Sequence, residues 1–255
     1  MIKTLFLVAI LLMPVQAKIQ ERLVEYQLGD VTMQGFMAWD DSHKNKRSGV
    51  LIVHEWMGLS EYVKRRARQM ASLGFVAFAP DIYGKGVRPS TPEEAGKTSG
   101  YYKSNPLILR DRTIAGLKQL ISHPLVDEKS IAAIGYCFGG TAVLELARSG
   151  ANVKAIVSFH GGLKAPLPAK PDTIQGEILV LHGGIDPHVP DPEVTGFFEE
   201  MRNAKAKWQF VAYGSAVHSF TNKGAGSDIT KGAAYDAVAD KRSFHDMLRF
   251  FRDVL

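Results

Sequence analysis

Short apolar runs separated by amphipathic stretches recur along most of this chain of 255 residues. Near its start, runs at residues 23–28 and 31–39 flank Gly29-Asp30, a dipeptide suited to a tight reversal, and together they predict an antiparallel hairpin. Six further runs follow, at residues 49–53, 75–79, 131–134, 155–159, 178–181 and 208–212. Strands that are apolar on both faces belong inside a parallel sheet covered by helices. Helical spacing occupies residues 60–73, 107–123, 138–149, 194–206 and 233–253, with Ser60 placed as an N-cap and Gly74 and Gly150 as stops. The alternation predicts an α/β protein: a central, mostly parallel sheet flanked by helices, opened by an N-terminal antiparallel hairpin. Residues 81–106, rich in Gly, Pro, Ser and Thr, read as a long excursion between a strand and a helix, the kind of loop that borders active sites. Residues 165–171 form a shorter Pro-rich connection, and no repeat, low-complexity tract or linker divides the chain, so one domain is expected over residues 18–255.

Residues 1–17 follow a different pattern. Lys3 precedes an almost wholly apolar stretch at residues 4–13, and Val15-Gln16-Ala17 offers small residues for cleavage, which is the pattern of a secretory signal peptide. The apolar stretch is too short to cross a hydrocarbon core of about 30 Å as a stable helix. The expectation is a periplasmic or secreted protein whose mature chain starts at Lys18, with a retained N-terminal anchor as the alternative. No cysteine lies near the cleavage site to carry a lipid. Loss of Lys3 takes the formal charge from +5 to +4, spread without a basic run, so nucleic acid is not an expected partner.

The chain has one cysteine, Cys137, which cannot form an internal disulfide and is either a buried apolar filler or a reactive thiol. Its neighbours decide between these. An apolar strand runs into Gly135-Tyr-Cys137-Phe-Gly139-Gly140 and then into a helix, the pattern of a nucleophile elbow with sulfur in place of a serine oxygen. A sharp strand-to-helix turn strains the nucleophile's backbone and crowds its flanks, hence the glycines. A thiol there sits at a helix N-terminus, whose partial positive charge favours thiolate.

A thiolate of this kind works with a base and an orienting acid, which in this pattern follow the nucleophile in chain order. Asp186 lies on the loop after the run at residues 178–181, and His218 on the loop after the run at residues 208–212, so both emerge at the carboxyl edge of the sheet. His218 is the candidate base and Asp186 the group that orients its ring, with Asp191 as the alternative acid. His182 and His188 flank Asp186 as conceivable metal ligands, but the chain lacks a helical H-E-x-x-H or a cysteine pair, so no metal or cofactor is expected. His160 follows a strand and reads as a capping or packing residue, and His123 and His245 lie in helical patterns.

In matching order, Val53-His-Glu-Trp-Met-Gly-Leu59, Ala79-Pro-Asp-Ile-Tyr83, Gly135-Tyr-Cys-Phe-Gly-Gly140, the Asp186 loop and Val217-His-Ser-Phe220 make the chain resemble the dienelactone hydrolase family of the α/β-hydrolase fold. The resemblance covers nearly all of residues 18–255. It implies a Cys137, Asp186 and His218 triad, a glutamate at Glu55 that interacts with the cysteine at rest, and an oxyanion hole from the backbone N–H groups of Trp56 and Phe138. It also implies hydrolysis of a small-molecule ester or lactone. Glu55, at a strand's carboxyl end, could in addition share the cleft with the thiol and hold or compete for its proton. Where family members use arginines to grip a substrate carboxylate, this chain has Lys85, with Arg88 close by, and Asn222 followed by Lys223. Lys85 and Arg88 are the candidate substrate-binding cations, although lysine lacks the bidentate fork of arginine. The rival readings are a thioesterase or peptidase using the same triad, and an exported binding protein that kept the pocket without turnover.

Overall fold

The computed structural model describes residues 18–42 and 44–255, so the expected signal peptide at residues 1–17 lies outside the described residues. The expected hairpin is present: β1 (Ile19–Leu28) pairs antiparallel with β2 (Val31–Asp40), and Gly29 turns the chain at φ 57°. β2 in turn lies antiparallel to β4 (Val76–Pro80). From there the sheet is parallel, through β3 (Arg47–Val53), β5 (Val126–Tyr136), β6 (Ala155–Phe159), β7 (Glu177–Gly183) and β8 (Lys207–Tyr213). Among the described residues this makes one eight-stranded sheet in the order β1-β2-β4-β3-β5-β6-β7-β8.

The two-sided apolar strands behave as their sequence requires. Val50 and Ile52 of β3 face one layer, built from α1 (Glu61–Ser72) and α6 (Ala237–Val254), while Leu51 and Val53 face the other, built from α3 (Pro106–Ile121), α4 (Phe138–Arg148) and α5 (Asp191–Asn203). Successive side chains leave a strand on opposite faces, so one five-residue run feeds both cores. Ser60 occupies the N-cap position of α1 without a side-chain capping bond, and Gly74 follows its last turn at φ 93°. Among the described residues, no helix is long and apolar enough to cross a membrane.

One expectation is corrected. Residues 81–106 are not a continuous loop, because they contain a helix, α2 (Pro92–Ser104). Only Ala95, Ser99 and Tyr102 of it are buried, so its apolar stripe is too thin to stand out. Its cap was visible in the sequence: Thr91 accepts from the Glu94 N–H, and Pro92 occupies the first turn.

Strand order places the site. From β3 the chain moves through α1 to β4 on one side, then returns through α2 and α3 to β5 on the other, so the carboxyl ends of β3 and β5 diverge at a switch point between neighbours. Val53 is paired with Gly135, and the residues after each, Glu55 with Trp56 and Cys137 with Phe138, therefore open onto the same crevice.

Candidate active site

The elbow is strained and tightly walled. Cys137 sits at φ 55°, ψ −116°, a backbone region that L-residues avoid and that surrounding structure must hold in place. A Cβ at Gly135 would overlap the Gly139 carbonyl, one at Gly139 would overlap the Val53 carbonyl, and one at Gly140 would lie 2.6 Å from Ser158 Oγ. Both glycines of the Gly135-x-Cys137-x-Gly139 pattern, and the one after, are therefore steric requirements of packing α4 against β3, β5 and β6. Cys137 itself is half-buried and is unpaired with any other cysteine among the described residues.

His218 and Asp186 meet beside it. The His218 Nδ1–H donates to Asp186 Oδ2 at 2.8 Å, while Asp186 Oδ1 accepts the His188 N–H at 2.8 Å. Asp186 is almost fully buried. Burial by itself opposes a charged His218, but the Cys137 sulfur and the Asp186 carboxylate outweigh it and push the imidazole up to about 10. Both neighbours favour the charged ring. Asp191, the alternative acid, is the exposed first residue of α5.

Glu55 lies on the other wall. It is 7% exposed, and Asn222 Nδ2 donates to its Oε2 at 2.5 Å. Burial raises its carboxyl to about 7, against the lowering effects of the Asn222 hydrogen bond and of His218 and Arg66. Asn222, noted in the sequence only as a missing arginine, thus works as the donor that holds this carboxylate. The Trp56 and Phe138 N–H groups donate to no acceptor among the described residues, while Gly58, Gly140 and Thr141 close the neighbouring turns on Glu55 and Cys137 carbonyls. Trp56 is fixed from the side, since its carbonyl accepts from Tyr83 OH at 2.9 Å.

An aromatic wall backs the crevice: Tyr83 lies 5.4 Å from Phe138 and 5.4 Å from Tyr102, and 4.8 Å from the His54 ring, centroid to centroid. Tyr102 comes from α2, the helix the sequence reading missed. His54, fully buried, accepts the Ile82 N–H at Nε2 (3.0 Å) and so carries its proton at Nδ1, which donates to the Glu55 carbonyl at 2.6 Å. Burial keeps its pKa below the ordinary value.

The two candidate substrate cations are engaged elsewhere. Lys85 Nζ donates to Glu25 of β1 at 2.8 Å in an exposed pair, and Arg88 Nη1 donates to the fully buried Asp81 at 2.5 Å and to the Val87 carbonyl at 2.7 Å. Arg88 still borders the turn after β3, its Cδ lying 3.7 Å from where a Gly58 Cβ would be. Lys223 extends over the Tyr235 ring at 5.8 Å. His182 and His188 join no group of three or more potential metal ligands among the described residues.

An elbow on a mostly parallel sheet, with acid and histidine on later strand ends, defines an α/β hydrolase. The dienelactone hydrolase family profile matches residues 33–255, and the chain belongs to that family. A dienelactone hydrolase-like promiscuous phosphotriesterase from metagenomic libraries is 40% identical, with a TM-score of 0.86 over 92% of this chain and 98% of that one. The solved structure of m3DLH is 37% identical, with a TM-score of 0.87 over 93% and 99%. A protein of Synechocystis sp., provisionally named a carboxymethylenebutenolidase, is 31% identical over 222 residues, 81% of this chain and 86% of its own length. The chain is accordingly a hydrolase acting on ester or lactone bonds.

Proposed function

We propose that this hydrolase cleaves small, uncharged esters or lactones through a covalent thioester on Cys137. The observation that carries the reading is the His218–Asp186 pair at 2.8 Å at the same sheet edge as the strained elbow that presents Cys137. The Cys137 thiolate attacks the acyl carbon, and the resulting oxyanion is received by the Trp56 and Phe138 N–H groups. The carbon–oxygen bond then breaks, and the imidazolium of His218 gives its proton to the departing alkoxide, leaving a thioester and a neutral ring. Water attacks the thioester as His218 takes a proton from it, the carbon–sulfur bond breaks, and acid product and thiolate–imidazolium are restored. Asp186 orients the ring and stabilises its charged form throughout.

The preference for uncharged substrates rests on the basic residues. Lys85 and Arg88 would read a substrate carboxylate only by leaving Glu25 and Asp81, and Glu55 is held by a neutral amide. The test is a turnover screen of matched neutral and acidic aryl esters and lactones, with a thioester, a peptide and a phosphotriester alongside. The phosphotriester belongs there because a relative at 40% identity is named for that activity. Faster turnover of neutral esters supports the reading, and a preference for acidic ones, or for thioesters or peptides, overturns it. Saturable binding without turnover of any substrate would make the protein a binding module. We also propose export, from the pattern at residues 1–17. Mass spectrometry of protein recovered outside the cytoplasm should give an N-terminus at or near Lys18, and an intact Met1 would indicate a retained anchor.

A further inference from the structure

His160 is engaged more heavily than a packing residue needs to be. It follows β6, is 0% exposed, and holds a left-handed backbone at φ 40°, a conformation that a histidine keeps only where the surrounding structure holds it. Its N–H is tied to the Leu181 carbonyl of β7 at 2.8 Å. The next residue has no room for a side chain, because a Cβ at Gly161 would lie 2.7 Å from Gly140 Cα. The strained turn is thus wedged directly against the helix that carries the elbow.

Both ring nitrogens are used. Nδ1 accepts the Cys137 N–H at 3.1 Å, an N–H shared with the Phe159 carbonyl at 3.0 Å. An accepting Nδ1 has no proton, so the proton is on Nε2, which donates to Thr221 Oγ1 at 2.8 Å. Thr221 also meets Tyr62 OH at 2.7 Å and directly precedes Asn222, the donor to Glu55. The His160 ring lies 5.3 Å from the His218 ring at 65°, and 5.0 Å from Phe220 at 82°. One buried ring therefore meets the nucleophile's main chain, the ring of the base, and the segment that fixes Glu55.

We propose that His160 is a positioning residue which, as the neutral Nε2–H tautomer, holds the Cys137 backbone in its elbow conformation and sets the His218 ring beside the sulfur. The inference rests on Cys137 being the nucleophile. The elements around the ring favour its neutral form. Burial pushes its pKa well below the ordinary value, and His218 on the loop after β8, Arg66 of α1 and His182 of β7 add to the effect. Protonation would put a donor at Nδ1 facing the Cys137 N–H, so the arrangement works only with an uncharged ring.

The test separates ring volume from hydrogen bonding. His160→Phe keeps an aromatic in place and loses both bonds, whereas His160→Asn puts an amide oxygen near the Nδ1 position and tolerates the left-handed backbone. Each folded variant is assayed for ester kcat and KM, and for the rate–pH profile of Cys137 alkylation by iodoacetamide. His160→Phe should lower kcat by about tenfold to a hundredfold, as misplacement of reacting groups does, with KM changed less than about twofold and the alkylation profile displaced. His160→Asn should recover most of the loss. A folded His160→Phe with the wild-type kcat and alkylation profile would overturn the proposal. Should that variant not fold, His160→Gln, which places its amide near Nε2, takes its place: the proposal requires Asn to outperform Gln, and equality or the reverse order overturns it. Alkylation needs no ester, so absence of ester turnover in the wild type would defeat the hydrolytic reading while leaving this one to be decided by the profile.

Discussion

Glu55→Gln replaces the buried carboxyl beside the elbow with a group of the same shape that cannot ionise. The carboxyl is buried, with one strong donor, Asn222 Nδ2 at 2.5 Å, and it rises from 4.5 to about 7 because burial disfavours its charge. A group raised on folding binds its proton more tightly in the native state, so its favourable contribution is complete below pH 4.5 and lost as pH climbs through about 7. The rise from 4.5 to about 7, at about 1.4 kcal/mol per pH unit, corresponds to roughly 3 kcal/mol. Glutamine keeps an acceptor for Asn222 and never ionises. The two proteins should therefore be of similar stability near pH 4.5, and the variant should gain steadily to roughly 3 kcal/mol above pH 7. Urea denaturation of both proteins at half-unit steps from pH 4.5 to 8.5 measures the difference, in which groups titrating alike in both proteins cancel. Parallel stability curves would refute the reasoning, because they would mean that Glu55 ionises in the folded protein as readily as in the unfolded one.

Asp186→Asn should lower kcat by about a hundredfold to ten-thousandfold, as loss of a histidine-orienting carboxylate does, while Asp191→Asn stays near wild type in the same ester assay. Comparable losses would withdraw Asp186 as the orienting acid. Gly139→Ala should destabilise by about 1–3 kcal/mol or more, since the new methyl overlaps the Val53 carbonyl of β3 and backbone must move to admit it. A midpoint of denaturation equal to wild type would show that the elbow is less closely packed. Lys85→Ala should change kcat/KM for neutral and acidic esters alike, by less than about twofold, because Lys85 is already paired with Glu25 in solvent. A selective loss on acidic esters would return Lys85 to the substrate.

Much of the candidate site was legible because the constraints are local in sequence. The elbow needs small residues at fixed offsets, and the proposed acid and base follow strand ends, so Gly135, Cys137, Asp186 and His218 could be picked out as candidates from apolar runs and the loops after them. The hairpin was legible from Gly29-Asp30, and the alternation of runs gave the parallel sheet. What escaped depends on contacts between distant segments. His160 and Thr221 are 61 positions apart, and Asn222 and Glu55 are 167 apart, so no spacing announces either bond. Helix α2 was lost because three buried residues make too thin a stripe, and with it went Tyr102 of the aromatic wall. The partners of Lys85 and Arg88 were equally hidden: Glu25 approaches from the edge strand only once the hairpin has folded beside the excursion after β4.

The central claim is that Cys137 carries the acyl group. Rapid acid quench of the protein during turnover of an activated acetyl ester, followed by intact-mass and peptide mass spectrometry, reads it directly. The expected result is an acetyl group on the peptide containing Cys137, labile to hydroxylamine as a thioester, and neither adduct nor turnover in folded Cys137→Ala. An acetyl group on a different residue, or undiminished turnover by that variant, would contradict it.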